Sequence, residues 1–165
     1  MLKGNTFKDI VKALLERSDY AVYPYGYEST FSDIKHKLRA EGARNSLTAR
    51  RIRSSPDLLV YDDQRKDVML VEVKMSSYAC PWIKQWRIET YKQFWNDSIL
   101  VLVVPVGNVF YAQRISELEV KQQYDVTKDF EKFEDIFTRA KPEVMSHSRV
   151  NALQNMKKQK TSESS

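Results

Sequence analysis

Two short aliphatic runs in the middle of the chain are bounded by ionisable residues. The first run follows Pro56-Asp57 and the second ends in Glu72-Val73-Lys74, with fourteen residues between Asp57 and Glu72. The polar residues 62–66 between the runs predict a hairpin loop, so the two runs are predicted to be neighbouring antiparallel strands. Glu72 and Lys74 are two apart on one strand and therefore project from the same face. The pattern predicts that three ionisable side chains converge at one sheet edge, enclosed by Val, Leu and Met residues.

This convergence has a chemical consequence. Two carboxylates in an apolar setting repel each other unless a cation lies between them, and Mg²⁺ binds through one or two carboxylates plus a phosphate. A lysine beside such a metal can orient or deprotonate a water, or stabilise negative charge developing on phosphorus. The residues therefore predict a site that hydrolyses a phosphodiester. The opposing interpretation is that strand ends are wet, and that Glu72 and Lys74 form an ordinary ion pair.

The rest of the chain alternates between helical and extended patterns. The predicted helices span 6–17, 81–96 and 127–140, and the predicted strands span 20–25, 56–62, 67–74, 98–105 and 108–113. Within residues 29–53, DIKHKLRAEG fits a short helix that ends at Gly42, and RNSLTARRIR fits a second helix or an extended arm. This order is typical of the α/β class, with a mixed β-sheet flanked by helices. We expect one domain over 1–140 with a basic insertion at 29–54, followed by a polar tail at 141–165 that should be disordered.

Positive charge is concentrated in one segment. The chain carries +5 overall, from 27 basic and 22 acidic residues. Residues 35–53 contain a single acid, Glu41, and these basic residues: Lys35, Lys37, Arg39, Arg44, Arg50, Arg51 and Arg53. A concentrated cationic segment attracts a polyanion through counterion release. We therefore expect these residues to bind nucleic acid, and the alternative is a solvated basic loop.

Several classes of protein are disfavoured by the sequence. With Cys80 as its one cysteine, the chain forms no internal disulfide, and a reducing, cytoplasmic setting is expected. No apolar run approaches the ~20 residues needed to span a bilayer, so no membrane association is expected. His36 and His147 have no partners at zinc-ligand spacing. There is no phosphate-binding loop of the kind that nucleotide-driven motors use.

The segment PD(LLVYDDQRKDVMLV)EVK resembles the signature of the PD-(D/E)xK nuclease superfamily, which includes restriction endonucleases, archaeal Holliday-junction resolvases and RecB-like nucleases. The resemblance covers roughly residues 5–115. It implies a restriction endonuclease-like core and a Mg²⁺-dependent deoxyribonuclease that accepts Mn²⁺, as an endonuclease in preference to an exonuclease. Carried over by position, Asp57 and Glu72 bind the metal and Val73 offers its backbone carbonyl. Lys74 acts on the attacking water.

The resemblance also suggests two further catalytic residues. The family often adds an acid from the first helix or from just after it, and Glu28 is the candidate here, with Glu16 and Asp9 as alternatives. In several of its families a polar residue of the helix after the motif points at the site, and Gln85 is the candidate. For each of these residues the opposing interpretation is an ordinary surface position.

Two tryptophans lie one helical turn apart in the predicted helix 81–96. Core packing or a subunit contact is favoured for Trp82 and Trp86 over a role as platforms on which nucleobases stack.

The expected partner is DNA, with RNA as an open alternative. A homodimer is compatible with this function, because cleavage of both strands of a duplex needs two centres. Two other functions compete with the nuclease. One is a non-catalytic nucleic-acid-binding module that kept the fold, and the other is a structural subunit of a larger viral or plasmid complex.

Overall fold

A computed structural model of the chain describes residues 4–31, 33–40, 45–77 and 81–137, apart from the side chains of Gly4 and Asn5. Arg44, Cys80 and the predicted tail at 141–165 lie outside the described residues.

The helices and strands follow one another in the order that the sequence predicts, with shorter elements added. The helices are α1 (Gly4–Arg17), α2 (Tyr27–Thr30), α3 (Lys35–Arg39), α4 (Leu47–Arg53), α5 (Gln85–Phe94), α6 (Val126–Asp129) and α7 (Phe133–Phe137). The strands are β1 (Ala21–Pro24), β2 (Leu58–Asp62), β3 (Asp67–Met75), β4 (Ile99–Val104), β5 (Val109–Arg114) and β6 (Glu131–Lys132). A 3-10 turn at Ile115–Glu117 follows β5.

The six strands form one sheet in the order β1-β2-β3-β4-β5-β6. Strands β3 and β4 are parallel and every other neighbouring pair is antiparallel. A parallel pair cannot be joined by a tight turn, so the chain crosses over between β3 and β4 through α5. The predicted mixed sheet flanked by helices is confirmed.

Apolar side chains cover both faces of the sheet. On one face α1 contributes Phe7, Val11 and Leu15, which pack with α7 against alternate residues of the central strands. On the other face Ile88 and Tyr91 of α5 pack against Leu100 and Leu102 of β4. All six residues of β4 are buried, as expected for a strand covered on both sides. The open end of the β2–β3 hairpin is therefore held between two helices, α1 on one face and α5 on the other.

The single helix predicted over 127–140 is wrong within the described residues. The chain forms α6, leaves the helix at Phe130, pairs briefly with β5 as β6, and then forms α7. Phe130 packs in the core layer of α5, with Tyr124, whereas Phe133 and Phe137 pack in the layer of α1. One helix cannot present a single stripe to both faces of a sheet, so the chain must pass round the sheet edge between Phe130 and Phe133.

The other predicted boundaries shift for local reasons. Helix α5 begins at Gln85 because the preceding residues are extended: Trp82 bridges to Gln123, and the Ile83 N–H donates to the Gln122 carbonyl at 3.1 Å. The basic segment forms the short helices α3 and α4, and α2 precedes it. Ser46 caps α4 by accepting from the Ala49 N–H at 3.0 Å, as favoured N-cap residues do.

None of the helices in the described parts of the chain combines the length and the apolar character needed to cross a membrane.

Candidate active site

Asp57 lies just before β2 and is held by its backbone and by its side chain. Its carbonyl accepts from the N–H groups of Tyr25 at 2.9 Å and Gly26 at 3.2 Å. Its Oδ2 accepts from the backbone N–H of Val73 at 3.0 Å. The Asp57 side chain is 11% exposed. These bonds fix the carboxylate where β1, β2 and β3 come together, with little freedom to turn towards solvent.

Glu72 reaches the same place from β3. Val71 and Val73 pack in the core layer of α1, so strand alternation directs Glu72 and Lys74 to the face that α5 covers. Leu58 is paired with Val71 in the antiparallel ladder. The next step of this ladder places Asp57 opposite Glu72. The predicted convergence of Asp57, Glu72 and Lys74 is thus what the register of the hairpin produces.

The Glu72 side chain is 6% exposed, and its carboxylate has two partners. Its Oε1 accepts from the Tyr91 hydroxyl at 2.6 Å and forms an ion pair with the Lys74 ammonium. Burial raises the pKa of Glu72, and this effect together with the charge of Asp57 outweighs the lowering by Lys74. Burial also raises the pKa of Tyr91, and the charge of Glu72 raises it further. Tyr91 therefore remains a proton donor that orients the carboxylate.

Asp57 has its own counter-ion, Lys8 of α1. The Lys8 Nζ lies 2.5 Å from the Asp57 Oδ1. Burial lowers the pKa of Lys8, but the hydrogen bond to Asp57 and the negative charges around it leave the pKa raised. Two ammonium groups, those of Lys8 and Lys74, therefore balance the two carboxylates.

These residues line an open cleft of about 790 Å³. Its walls come from α1, the corner between β1 and α2, the C-terminal end of α4, and α5. Cations outnumber anions on its surface: the cations are Lys8, Lys12, Lys35, Arg53, Lys74 and Arg87, and the anions are Asp9, Glu28, Asp57 and Glu72. A cationic cleft with acids among its lining residues can bind a polyanion while holding carboxylates near its backbone.

The candidates for a third acid have different surroundings. Glu28 lines the cleft, but it is paired with Arg39 at 2.6 Å and is half exposed. Asp9 also lines the cleft, whereas Glu16 lies outside it and is 3.6 Å from Lys12. Over the residues that the structure describes, no three His, Cys, Asp or Glu side chains group closely enough to hold a metal ion. Among the described residues, Asp57 and Glu72 therefore come together without a third acid.

Gln85 is not among the residues that line the cleft. It is exposed at the start of α5, where its Nε2 donates to Glu89 at 3.2 Å. The side chains of α5 that do line the cleft are those of Trp86, Arg87, Thr90 and Tyr91. The structure thus gives Tyr91 the position next to the acids that the sequence suggested for Gln85.

Six of the seven predicted nucleic-acid-binding residues are described by the structure, and these six divide into three groups. Lys35 and Arg53 line the cleft. Arg39 bonds Tyr27 and Glu28, and the Arg51 guanidinium lies 5.6 Å from the centroid of the Trp95 ring. Lys37 and Arg50 are exposed on α3 and α4, outside the cleft, and Arg44 lies outside the described residues.

Three residues of the site were not predicted from the sequence: Lys8, Arg87 and Tyr91. Lys8 belongs to the polar face of α1, next to Asp9, where a charged residue is unremarkable. Tyr91 lies three residues after buried Ile88 and so shares the stripe of α5 that faces the sheet. That spacing was a usable signal for Tyr91, and no comparable signal marked Lys8.

The likeness to known proteins is one of fold. No protein-family model matches the chain, and neither does any curated protein sequence. Among solved structures, the chain is similar to Hjc, a Holliday junction resolvase from the archaeal hyperthermophile Archaeoglobus fulgidus, with a TM-score of 0.54. The match covers 81% of this chain and 99% of that one, at 12% sequence identity. The predicted restriction endonuclease-like α/β core is thereby confirmed.

The buried charge of Glu72 gives a testable pH dependence. A carboxyl whose pKa is raised in the folded state stabilises the fold at low pH, and this contribution is lost as pH rises above its ordinary value of 4.5. In EDTA, the free energy of unfolding of wild type should therefore fall with rising pH relative to that of Glu72→Gln. Urea unfolding at several pH values measures this. The exposed acid Glu117, changed to Gln, is the control and should run parallel to wild type. Parallel curves for Glu72→Gln and wild type would contradict the assignment of Glu72 as a costly buried charge.

Proposed function

We propose that this chain is a metal-dependent nuclease that hydrolyses phosphodiester bonds in DNA by the PD-(D/E)xK mechanism. The observation that carries the proposal is that the shielded carboxylates of Asp57 and Glu72 lie side by side on the wall of a cationic cleft. The Lys74 ammonium lies beside them. The fold shared with a Holliday junction resolvase supports it. An endonuclease is proposed in preference to an exonuclease, with DNA as substrate and RNA as the alternative.

The residues present fit a divalent cation. Asp57 and Glu72 offer hard oxygen ligands, and the cost of burying the Glu72 charge next to Asp57 is the cost that a dication relieves. We propose these two carboxylates and the backbone carbonyl of Val73 as the ligands of Mg²⁺, or of Mn²⁺ in its place. Asp9 and Glu28, which line the same cleft, are the candidates to contribute through water. The bound metal would polarise a phosphate oxygen and acidify a water.

The chain's own residues perform the other tasks. The Tyr91 hydroxyl fixes the orientation of the Glu72 carboxylate by donating to Oε1. The Val73 N–H does the same for Asp57. The Lys74 ammonium is placed to hold the attacking water or to stabilise negative charge on the phosphate. Lys35, Arg53 and Arg87 line the cleft as binding groups for the phosphate backbone.

A cleavage assay with and without EDTA tests the function directly. Labelled duplex, branched and single-stranded DNA should be cut in Mg²⁺ and remain intact in EDTA. A homodimer, which cutting both strands of a duplex would favour, is tested by the mass of the protein in solution. Binding without any cleavage in Mg²⁺ or Mn²⁺ would favour the non-catalytic nucleic-acid-binding module instead.

The first prediction for this function concerns the acids and Lys74. Asp57→Asn and Glu72→Gln should abolish cleavage, because each removes a charged metal ligand while keeping the side chain's shape. Lys74→Met should lower the rate of cleavage roughly 10²-fold or more, the scale of a lost acid–base or charge-stabilising group. Single-turnover cleavage rates measure these effects, with Asp67→Asn on the exposed hairpin as control. Wild-type rates in both acid variants would mean that the site is misassigned.

The second prediction concerns Lys8, whose ammonium occupies the Asp57 carboxylate that a metal would need. In EDTA, Lys8→Met should lower the stability by about 1 kcal/mol, a small effect because the Lys8 side chain is one-third exposed. Added Mg²⁺ or Mn²⁺ should then stabilise Lys8→Met more than wild type, because no resident cation has to be displaced. Melting temperatures across a metal titration measure both effects. Lys12→Met is the control, because Lys12 pairs only with exposed Glu16 among the contacts described. Equal metal-induced shifts in Lys8→Met and wild type would rule out this competition.

The third prediction concerns the path of the nucleic acid. Changing Lys35 and Arg53 together to alanine should flatten the slope of log K against log salt by about 1.8 on duplex DNA, or about 1.4 on single strands, if both contact phosphates. Changing Arg50 and Arg51 together removes the same charge from outside the cleft and should flatten the slope less. Binding isotherms at several salt concentrations in EDTA decide the matter. An equal change in the two double variants would show that the segment acts through its total charge and not through the cleft.

A further inference from the structure

Trp86 is both exposed and part of the cleft wall, a combination that core packing does not explain. Its side chain lines the cleft, and the residue is 55% exposed. Core packing is therefore wrong for Trp86, and also for Trp82, which is 71% exposed. The subunit contact, the other expectation for these two residues, stays a prediction. The two residues differ in location, because Trp82 lies outside the cleft. An isolated exposed apolar residue is ordinary on a protein surface, but an open indole on the wall of a cationic cleft is placed to meet the cleft's ligand.

The position of Trp86 relative to the acids follows from helix geometry. The face of α5 that lines the cleft is broad: it carries Trp86, Arg87, Thr90 and Tyr91, and Tyr91 at its far end holds Glu72. Tyr91 lies five positions after Trp86, which is about 7.5 Å along the helix axis. Stacked nucleotides of one strand rise about 3.4 Å each, so this separation corresponds to roughly two nucleotides. An indole at this distance can contact a base close to the phosphate at the acids.

Arg87 completes the arrangement. Its guanidinium carbon lies 5.4 Å from the centroid of the Trp86 ring, and the side chain lines the cleft. It is also near enough to Tyr91 to lower the pKa of that hydroxyl, against the raising effect of burial. Arg87 therefore places a positive charge beside the indole on the wall of the cleft, close to Tyr91, where it can bind the phosphate of a nucleotide whose base meets Trp86.

We propose that Trp86 and Arg87 form a subsite for one unpaired nucleotide, with the indole stacking on its base and the guanidinium binding its phosphate. The inference rests on the proposed nuclease function and names its substrate class: DNA with a single-stranded segment or a branch at the cleft, in preference to continuous duplex. In a continuous duplex every base face is already stacked, so the indole would have to displace a neighbouring base. An unpaired base has a free face, and stacking on an aromatic side chain tolerates any sequence.

The experiment measures binding in EDTA, so that cleavage does not interfere. Fluorescence anisotropy compares a labelled oligothymidylate with a blunt duplex of equal length, for wild type, Trp86→Ala, Trp86→Phe and Trp82→Ala. Trp86→Ala should weaken single-strand binding about 5- to 150-fold, the range for loss of one stacked base. Its duplex binding should change less than about twofold, since no stack is lost there. Trp86→Phe should retain most of the single-strand affinity, and Trp82→Ala should bind like wild type.

Each other outcome overturns the inference. Equal losses on both DNAs, or equal losses in Trp86→Ala and Trp82→Ala, would mean that the indole has no special relation to an unpaired base. A change in the solution mass of Trp86→Ala relative to wild type would assign the indole to a contact between two copies of the chain. Unchanged binding by Trp86→Ala, with wild type still cutting DNA in Mg²⁺, would remove the subsite and leave the nuclease proposal intact. No binding or cleavage of any DNA by wild type would remove both.

Discussion

Two carboxylates that repel each other are held at the open end of one β-hairpin, and the surrounding structure compensates for that repulsion. Asp57 and Glu72 are fixed opposite each other by the register of β2 and β3. Each has a neutral donor that orients it, the Val73 N–H for Asp57 and the Tyr91 hydroxyl for Glu72. Each also has an ammonium partner, Lys8 or Lys74. Helix α1 is therefore needed for charge balance, and α5 for orienting Glu72, as well as for covering the sheet.

The two sides of the site differ in what they supply. Helix α1 provides a cation to the more accessible carboxylate, whereas α5 provides a buried hydroxyl to the inaccessible one. Because β3 and β4 are parallel, their connection must cross the sheet face, and α5 is that connection. The crossover thus places Tyr91 over Glu72, and it places Trp86, Arg87 and Thr90 along the cleft. The helix that is required to connect the two parallel strands therefore also forms one wall of the site.

The sequence predicts the central part of this arrangement because strand periodicity and hairpin spacing are local. The convergence of Asp57, Glu72 and Lys74 follows from alternation and register alone. The path of 126–137 could not be predicted, because Phe130 and Phe133 have helical spacing and only the tertiary structure sends them to opposite faces of the sheet. The same limit applies to Lys8, whose role depends on the docking of α1 against residues about fifty positions away. Gln85 was suggested by analogy, whereas the residue that reaches the acids lies six positions later.

The balance between the two acids and the two lysines determines whether folding or metal binding comes first. In small zinc domains the fold is stable only with the metal bound, so folding waits for the ion. Here Lys8 and Lys74 already stand where positive charge is needed. The chain is therefore expected to fold before any metal binds. A divalent cation would then bind to the folded protein, reversibly, by displacing the Lys8 ammonium from Asp57.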